Sequence, residues 1–186
     1  MRGPTSADVQ YAQIITLKNA PRPFRIDMNK EWTPPSWMYR GRKPPTDEAY
    51  FENLTRCIFQ AGLSWRTITN KWPNFKKAFY GFDIETIASY GVKDIGRLMK
   101  DKGIIRNQKK ILATIDNARE FKLIRSENGS FQRWLDSLDK TSNYANVVKR
   151  LANRFKHVGE TTARIFLYTV GEEIRFPEVG HQRRTS

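Results

Sequence analysis

Two short stretches of the chain hold residue types suited to chemistry on a polyanion. In Gln60-Ala61-Gly62-Leu63-Ser64-Trp65, Gly62 breaks helix periodicity and Ser64 can cap the helix that follows. Such a corner turns Leu63 and Trp65 outward, where a flat ring can slide against the indole and an apolar side chain can wedge into a stack of rings. The structural alternative is that both side chains turn inward and plug the core, as apolar residues at helix ends commonly do. In Lys156-His157-Val158-Gly159-Glu160-Thr161-Thr162-Ala163-Arg164, a helix ends, a tight turn is expected at Gly159, and an apolar helix resumes through Ile165, Phe166 and Leu167. Backbone N–H groups of Val158, Gly159 and Thr161 left unpaired at a helix start make an anion site. Gly159 admits a phosphate close to the backbone, Lys156 and Arg164 add charge, and Thr161 or Thr162 adds a hydroxyl donor. The same spacing also makes an ordinary corner between two helices.

Composition favours the ligand-binding version of both stretches. The 186 residues carry a formal net charge of +14, with 39% hydrophobic residues. That content supports a core, and the charge points to nucleic acid as partner. Basic residues are spread along the chain between apolar positions, so they do not form a disordered tail. A membrane surface fits less well, because no lipidation signal, long basic amphipathic helix or long apolar run is present. There is one cysteine, Cys57, and two histidines, His157 and His181. No internal disulfide and no structural zinc site with several Cys/His ligands can be assembled, so no metal or cofactor is expected. An intracellular, monomeric protein is expected.

The elements that must position these residues read as helices. Residues 1–45 form a proline-rich arm in which Trp32, Trp37 and Tyr39 lie among arginines and lysines. The arm either wraps the core with its aromatics buried or lends some of its rings to a base pocket; only Val9 to Leu17 could be regular. Residues 46–186 form the helical domain. Thr46 caps a helix with Tyr50, Leu54 and Ile58 on one face and Asp47 and Glu48 in its first turn. A second helix runs from Ser64 to Lys71, and Pro73 could open a further turn to Phe79. Short helices follow over Asp83 to Tyr90 and Val92 to Lys100. The longest runs from Ile104 to Arg125, with Ile104, Ile111, Ile115, Ala118 and Leu123 as its buried stripe and Asn128-Gly129 beyond its end. Phe131 to Leu138 and Asn143 to Phe155 complete the set. No strand of length is expected, so the fold class is all-α.

Phe155 to Gly171, FKHVGETTARIFLYTVG, resembles the helix-hairpin-helix segment of the superfamily that includes endonuclease III. QAGLSW, followed by Thr67, Lys71, Phe75, Ala78, Phe79, Phe82 and Asp83, resembles the 3-methyladenine DNA glycosylase I family. So does Asp101 to Asn107, leading through Lys110 and Ile111 to Asn117-Ala118-Arg119. Three blocks in the right order make the match specific.

The resemblance implies a helix-hairpin-helix glycosylase fold of two helical lobes with a pocket between them and the hairpin at about 143–171. It implies a monofunctional DNA glycosylase that flips a damaged, alkylated purine out of duplex DNA and hydrolyses its N-glycosidic bond, leaving an abasic site. On this reading Trp65 stacks on the flipped base, where a cation over an indole gains ~0.5–2 kcal/mol. Leu63, with Gly62 and Ser64, fills the gap in the duplex. Lys156, His157, Val158, Gly159, Thr161, Thr162 and Arg164 hold the backbone.

The chain departs from the family in three places. The family's pocket glutamate, three residues before the Gln of its QAGLSW-like block, is here Cys57. A thiol offers no carboxylate, and a hydrogen bond to a charged group is worth ~1.5–3 kcal/mol, enough to change substrate preference. The family's Cys/His zinc site cannot form. Its paired aromatics near the amino terminus do not align, so Tyr39, Trp37 and Trp32 remain alternative pocket walls. Glu178 is a candidate water-activating carboxylate downstream of the hairpin, with a solvated tail residue as the alternative. Glu52 is a second candidate, expected to face solvent. Two rival readings stay open: a non-catalytic DNA- or lesion-binding protein, and a glycosylase for a deaminated base.

Overall fold

The computed structural model describes residues 35–176. Eight α-helices run in chain order over these residues: α1 Asp47–Gln60, α2 Trp65–Ala78, α3 Ile84–Ala88, α4 Val92–Lys100, α5 Gln108–Asn128, α6 Phe131–Asp136, α7 Thr141–Arg154 and α8 Glu160–Thr169. A 3-10 turn at Tyr80–Phe82 links α2 to α3. The described residues contain no strand. Trp32, Glu178, His181 and the expected Val9–Leu17 element lie outside the described residues.

Local signals start and stop the helices where the side chains suggest. Thr46 accepts from the Ala49 N–H at the start of α1. Ser64 accepts from Thr67 at the start of α2, and Asn107 from Lys110 at the start of α5. Gly129, at φ 80°, ends α5, in the left-handed conformation that glycine adopts without penalty.

Packing then overrides local preference in three places. Helix α2 is continuous through Pro73, with no new turn. An interior proline costs about 3 kcal/mol, and the buried stripe Ile68, Trp72, Phe75 and Ala78 holds the helix across it. Leu123 is 47% exposed; Phe121 and Ile124 complete the α5 stripe in its place. Ser142, Asn143 and Tyr144 at the head of α7 have φ of 51°, 53° and 63°. These left-handed residues are held by the tail: Asn143 bonds both backbone groups of Arg175, and the Tyr144 hydroxyl donates to Glu172 at 2.8 Å.

Helices α1 and α5 form the centre. Against α5 pack α3 and α4 on one side and α6 on another, while α8 packs on α1 and α7 on α8. One continuous apolar core runs through them, rich in aromatics from Phe51, Phe59 and Phe75 to Phe121, Phe131 and Phe166. Near its edge the carboxylate of Glu172, itself buried, receives Lys43, Lys140 and Tyr144. Gly171 beside it has φ 85°, and a Cβ there would collide with the carbonyl oxygens of Tyr39 and Arg42. The arm before α1 and the segment after α8 are therefore locked together.

Basic residues also cap helices at a distance. Lys110 donates to the Phe59 and Ala61 carbonyls at the end of α1, and Arg97 to Ala78 at the end of α2. Arg119 donates to Ala88 at the end of α3, and Lys71 to Lys102 and Gly103 just past α4. Each cation meets the negative end of a helix dipole and satisfies orphan carbonyls.

Candidate functional site

The corner between α1 and α2 is built by its own residues. The Leu63 N–H donates to the Gln60 carbonyl at 2.7 Å, and the Gln60 side-chain amide returns a bond to the Leu63 carbonyl at 3.1 Å. Gly62 has φ 85° and is exposed, and a Cβ there would meet open space. Ser64 caps α2 and bonds the Thr67 hydroxyl at 2.8 Å. This turn leaves Leu63 and Trp65 half-buried, each packed on the core by one side and open on another. Neither the fully inward nor the fully outward reading holds.

A column of rings and one guanidinium runs from this corner into the protein. Trp37 stacks on Trp65 with centroids 5.1 Å apart and 22° between planes. The Arg56 guanidinium lies over the other face of Trp37 at 4.5 Å and also over Trp72 at 4.2 Å. Trp72 stacks in turn on Phe75 and Phe82. Glu52 ties the base of the column together. It accepts from Trp72 Nε1 at 2.7 Å and pairs with Arg56 at 3.3 Å and Lys76 at 3.2 Å. The expectation that Glu52 faces solvent is thus overturned: its side chain is 19% exposed, because the indole N–H of Trp72 and two cations draw it in. Burial lowers the Arg56 pKa to about 10, against the opposing pull of Glu52, so Arg56 stays charged at neutral pH.

Cys57 is fully enclosed on the neighbouring face of α1, its sulfur 3.9 Å from the Thr169 hydroxyl. Burial pushes the thiol pKa up to about 12, so it is neutral. The Tyr39 N–H donates to the Thr169 carbonyl at 2.8 Å, and the Tyr39 ring lies under Arg42. Of the four proposed pocket residues, Trp37 and Trp65 touch directly, while Tyr39 and Cys57 meet through Thr169.

The hairpin between α7 and α8 differs from expectation in one respect. The left-handed residue is His157, at φ 59°, and Gly159 is extended at φ −79°, ψ 171°, as N-cap of α8. The sharp bend falls two residues early because Val158 inserts into the core, leaving Lys156 and His157 exposed. Gly159 has no capping side chain, and a Cβ there would meet nothing within 4 Å. The fold itself does not demand a glycine, which leaves open space in front of the first turn of α8. Thr161 is exposed, Thr162 and Arg164 half-buried.

Asn117 on α5 fixes this hairpin. Its amide accepts from the Lys156 N–H at 2.7 Å and donates to the Lys156 carbonyl at 3.1 Å. The sequence places Asn117 in a motif block but gives no sign of this role, since its partner lies far along the chain. Arg56 was also missed, its charge masking a buried position. Among the described residues no cluster of His, Cys, Asp or Glu is placed to hold a metal, and no helix is long and apolar enough to cross a membrane.

Residues 31–165 match the family model described as methyladenine glycosylase. DNA-3-methyladenine glycosylase 1 of Escherichia coli (strain K12) is 41% identical over 87 residues, 46% of this chain and 46% of that protein. The DNA-3-methyladenine glycosylase of Haemophilus influenzae is 27% identical over 161 residues, 77% of this chain and 83% of that one. A crystal structure of 3-methyladenine DNA glycosylase I in complex with 3-methyladenine superposes with a TM-score of 0.64 at 28% identity, covering 75% of this chain and 86% of that chain. The Staphylococcus aureus 3-methyladenine DNA glycosylase I gives 0.62 at 29% identity, covering 72% and 80%. The helical architecture, the tryptophan-bearing corner and the hairpin agree with these relatives, and the chain belongs to the methyladenine glycosylase family.

Proposed function

We propose that the protein is a monofunctional DNA glycosylase that removes a damaged, alkylated purine from duplex DNA by hydrolysing its N-glycosidic bond. The observation that carries this reading is the α1–α2 corner, where Gln60 pins the backbone so that Leu63 and Trp65 stand half-open side by side. A protein that only grips phosphates needs neither side chain there. Leu63, with Gly62 and Ser64, fills the gap left by the extruded nucleotide, and Trp65 receives the base. The hairpin holds the flanking phosphates through Lys156, His157 and the first turn of α8 from Gly159 to Thr162, with Arg164 behind it. The partner is double-stranded DNA carrying a damaged base or an abasic site, bound by a monomer. Glu178 is the carboxylate that the sequence offers for activating water.

The test is release of free base from methylated duplex DNA by the full chain, read by chromatography. Released alkylated purine supports the reading. Tight binding of abasic duplex with no base released from any damaged DNA supports the other reading, a lesion-binding protein that has lost the chemistry. The enclosed, neutral thiol at Cys57 favours that second reading, because it supplies no charge to a reacting base.

A further inference from the structure

The column that ends on Trp65 specifies more than a stacking wall. The 5.1 Å spacing of Trp37 and Trp65 is direct ring stacking, with no room for a third ring between them. The other face of Trp37 lies 4.5 Å from the Arg56 guanidinium. Trp37 therefore fills a slot one ring thick, floored by a guanidinium and roofed by an indole. It sits on the short segment ahead of α1, next to exposed Pro35 and Ser36. Its backbone is held independently of the ring: Asn53 donates to the Trp37 carbonyl, and Met38 and Tyr39 bond Pro35 and Thr169. The indole can thus leave the slot without unfolding the segment.

We propose that Trp37 occupies the place of the flipped base, and that the slot between Trp65 and Arg56 takes an uncharged purine adduct and disfavours a cationic one. Arg56 is then a specificity-determining residue of the site. The inference rests on the glycosylase reading and narrows it to a charge class.

Two independent observations support this. The first is charge. Arg56 is 5% exposed, and its partner carboxylate, Glu52, is shared with Lys76 and the Trp72 N–H. Two cations thus face one anion at this end of the column, and the neighbouring Cys57 is neutral. A cationic base resting against Arg56 meets like charge at ring-contact distance in a place where water cannot screen it. The pull of the Trp65 face on a cation is a charge–quadrupole attraction, weaker than charge–charge repulsion at similar range.

The second is hydrogen-bonding capacity. Within the column, the buried polar atoms without a partner are Trp37 Nε1, Trp65 Nε1 and Arg56 Nε, all N–H donors. Buried donors without partners are costly and ask for acceptors. A neutral purine presents lone pairs on its ring nitrogens or a carbonyl oxygen. Alkylation that makes the ring cationic consumes one of those lone pairs and weakens the others.

The test compares single-turnover base release by the full chain from duplexes carrying an uncharged adduct, 1,N6-ethenoadenine or O6-methylguanine, and from methylated DNA carrying the cationic 3-methyladenine and 7-methylguanine. Faster release of an uncharged adduct is expected. In Arg56→Met, of similar length and no charge, the neutral-to-cation rate ratio is expected to fall by about ten-fold, the size of one like-charge contact at intermediate dielectric. Arg56→Lys, which keeps the charge, should hold the ratio near wild type and serves if the Met variant does not fold. Faster release of the cationic bases by the wild-type chain overturns the charge assignment while leaving the glycosylase reading intact. So does an unchanged ratio in a folded Arg56→Met. No base released from any duplex overturns the glycosylase reading itself, and the charge assignment with it.

Discussion

Leu63 and Arg56 show how single side chains divide the work of the site. Leu63 touches the core by one side only, so truncating it costs the free protein little and costs the complex more. Leu63→Ala is expected to weaken binding to an abasic duplex by about ten-fold, from the lost burial of one leucine side chain, with the melting temperature little changed. Fluorescence anisotropy on abasic and undamaged duplexes checks this, and equal affinities for wild type and variant would sink the wedge role. Of the site's residues, the corner was legible in the sequence because Gln60, Gly62, Ser64 and Trp65 act on their immediate neighbours. Arg56 and Glu52 were not. Charged residues on a helix read as solvent-facing, and what buries this pair is Trp37 and Trp72, brought in by other segments.

Among the elements, the helices were legible where periodicity and caps agree, as at Thr46, Ser64 and Asn107. The reading failed where tertiary burial outweighs a local signal. Pro73 looks like a helix start, yet the stripe around Trp72 and Phe75 carries α2 through it. Gly159 looks like the bend, yet the pull of the core on Val158 places the left-handed turn at His157. The hairpin is positioned by α5 rather than by its own turn, because Asn117 bonds both backbone groups of Lys156. Removing that amide leaves two buried backbone groups unpaired, at about 1–3 kcal/mol each. Asn117→Ala is therefore expected to raise the Kd for DNA several-fold and to lower the melting temperature, while base release from saturating DNA keeps its rate. A single-turnover titration separates the two effects, and an unchanged Kd in the folded variant would remove α5 from the account of the hairpin.

At the scale of the whole molecule, Glu172 joins the arm to the last described segment through Lys43, Lys140 and Tyr144. Burial by itself raises its pKa, but the hydrogen bonds from Lys43 and Tyr144 and the two lysine charges outweigh this, holding it below 4.5. A carboxylate depressed in the folded state contributes stability above its unfolded pKa and loses it as pH falls through the folded value. The protein is thus expected to lose stability on acidification below about pH 4.5. Glu172→Gln should flatten that acid limb and cost about 3 kcal/mol at neutral pH, because it leaves cations without their buried partner. Chemical denaturation of both proteins across the acid range reads this directly; parallel pH curves would assign the acid limb elsewhere.

The cations that close helix ends bear on how the protein's charge meets DNA. Lys71, Arg97, Lys110 and Arg119 are held by main-chain oxygens of their own protein, so they hold the scaffold together instead of condensing onto phosphates. A titration of affinity against salt should then report fewer displaced counterions than the formal charge of +14 invites. Neutralising Lys110 should loosen the turn that carries Leu63 while leaving that salt slope nearly where it was, whereas neutralising exposed Lys156 should shift the slope and leave the fold alone.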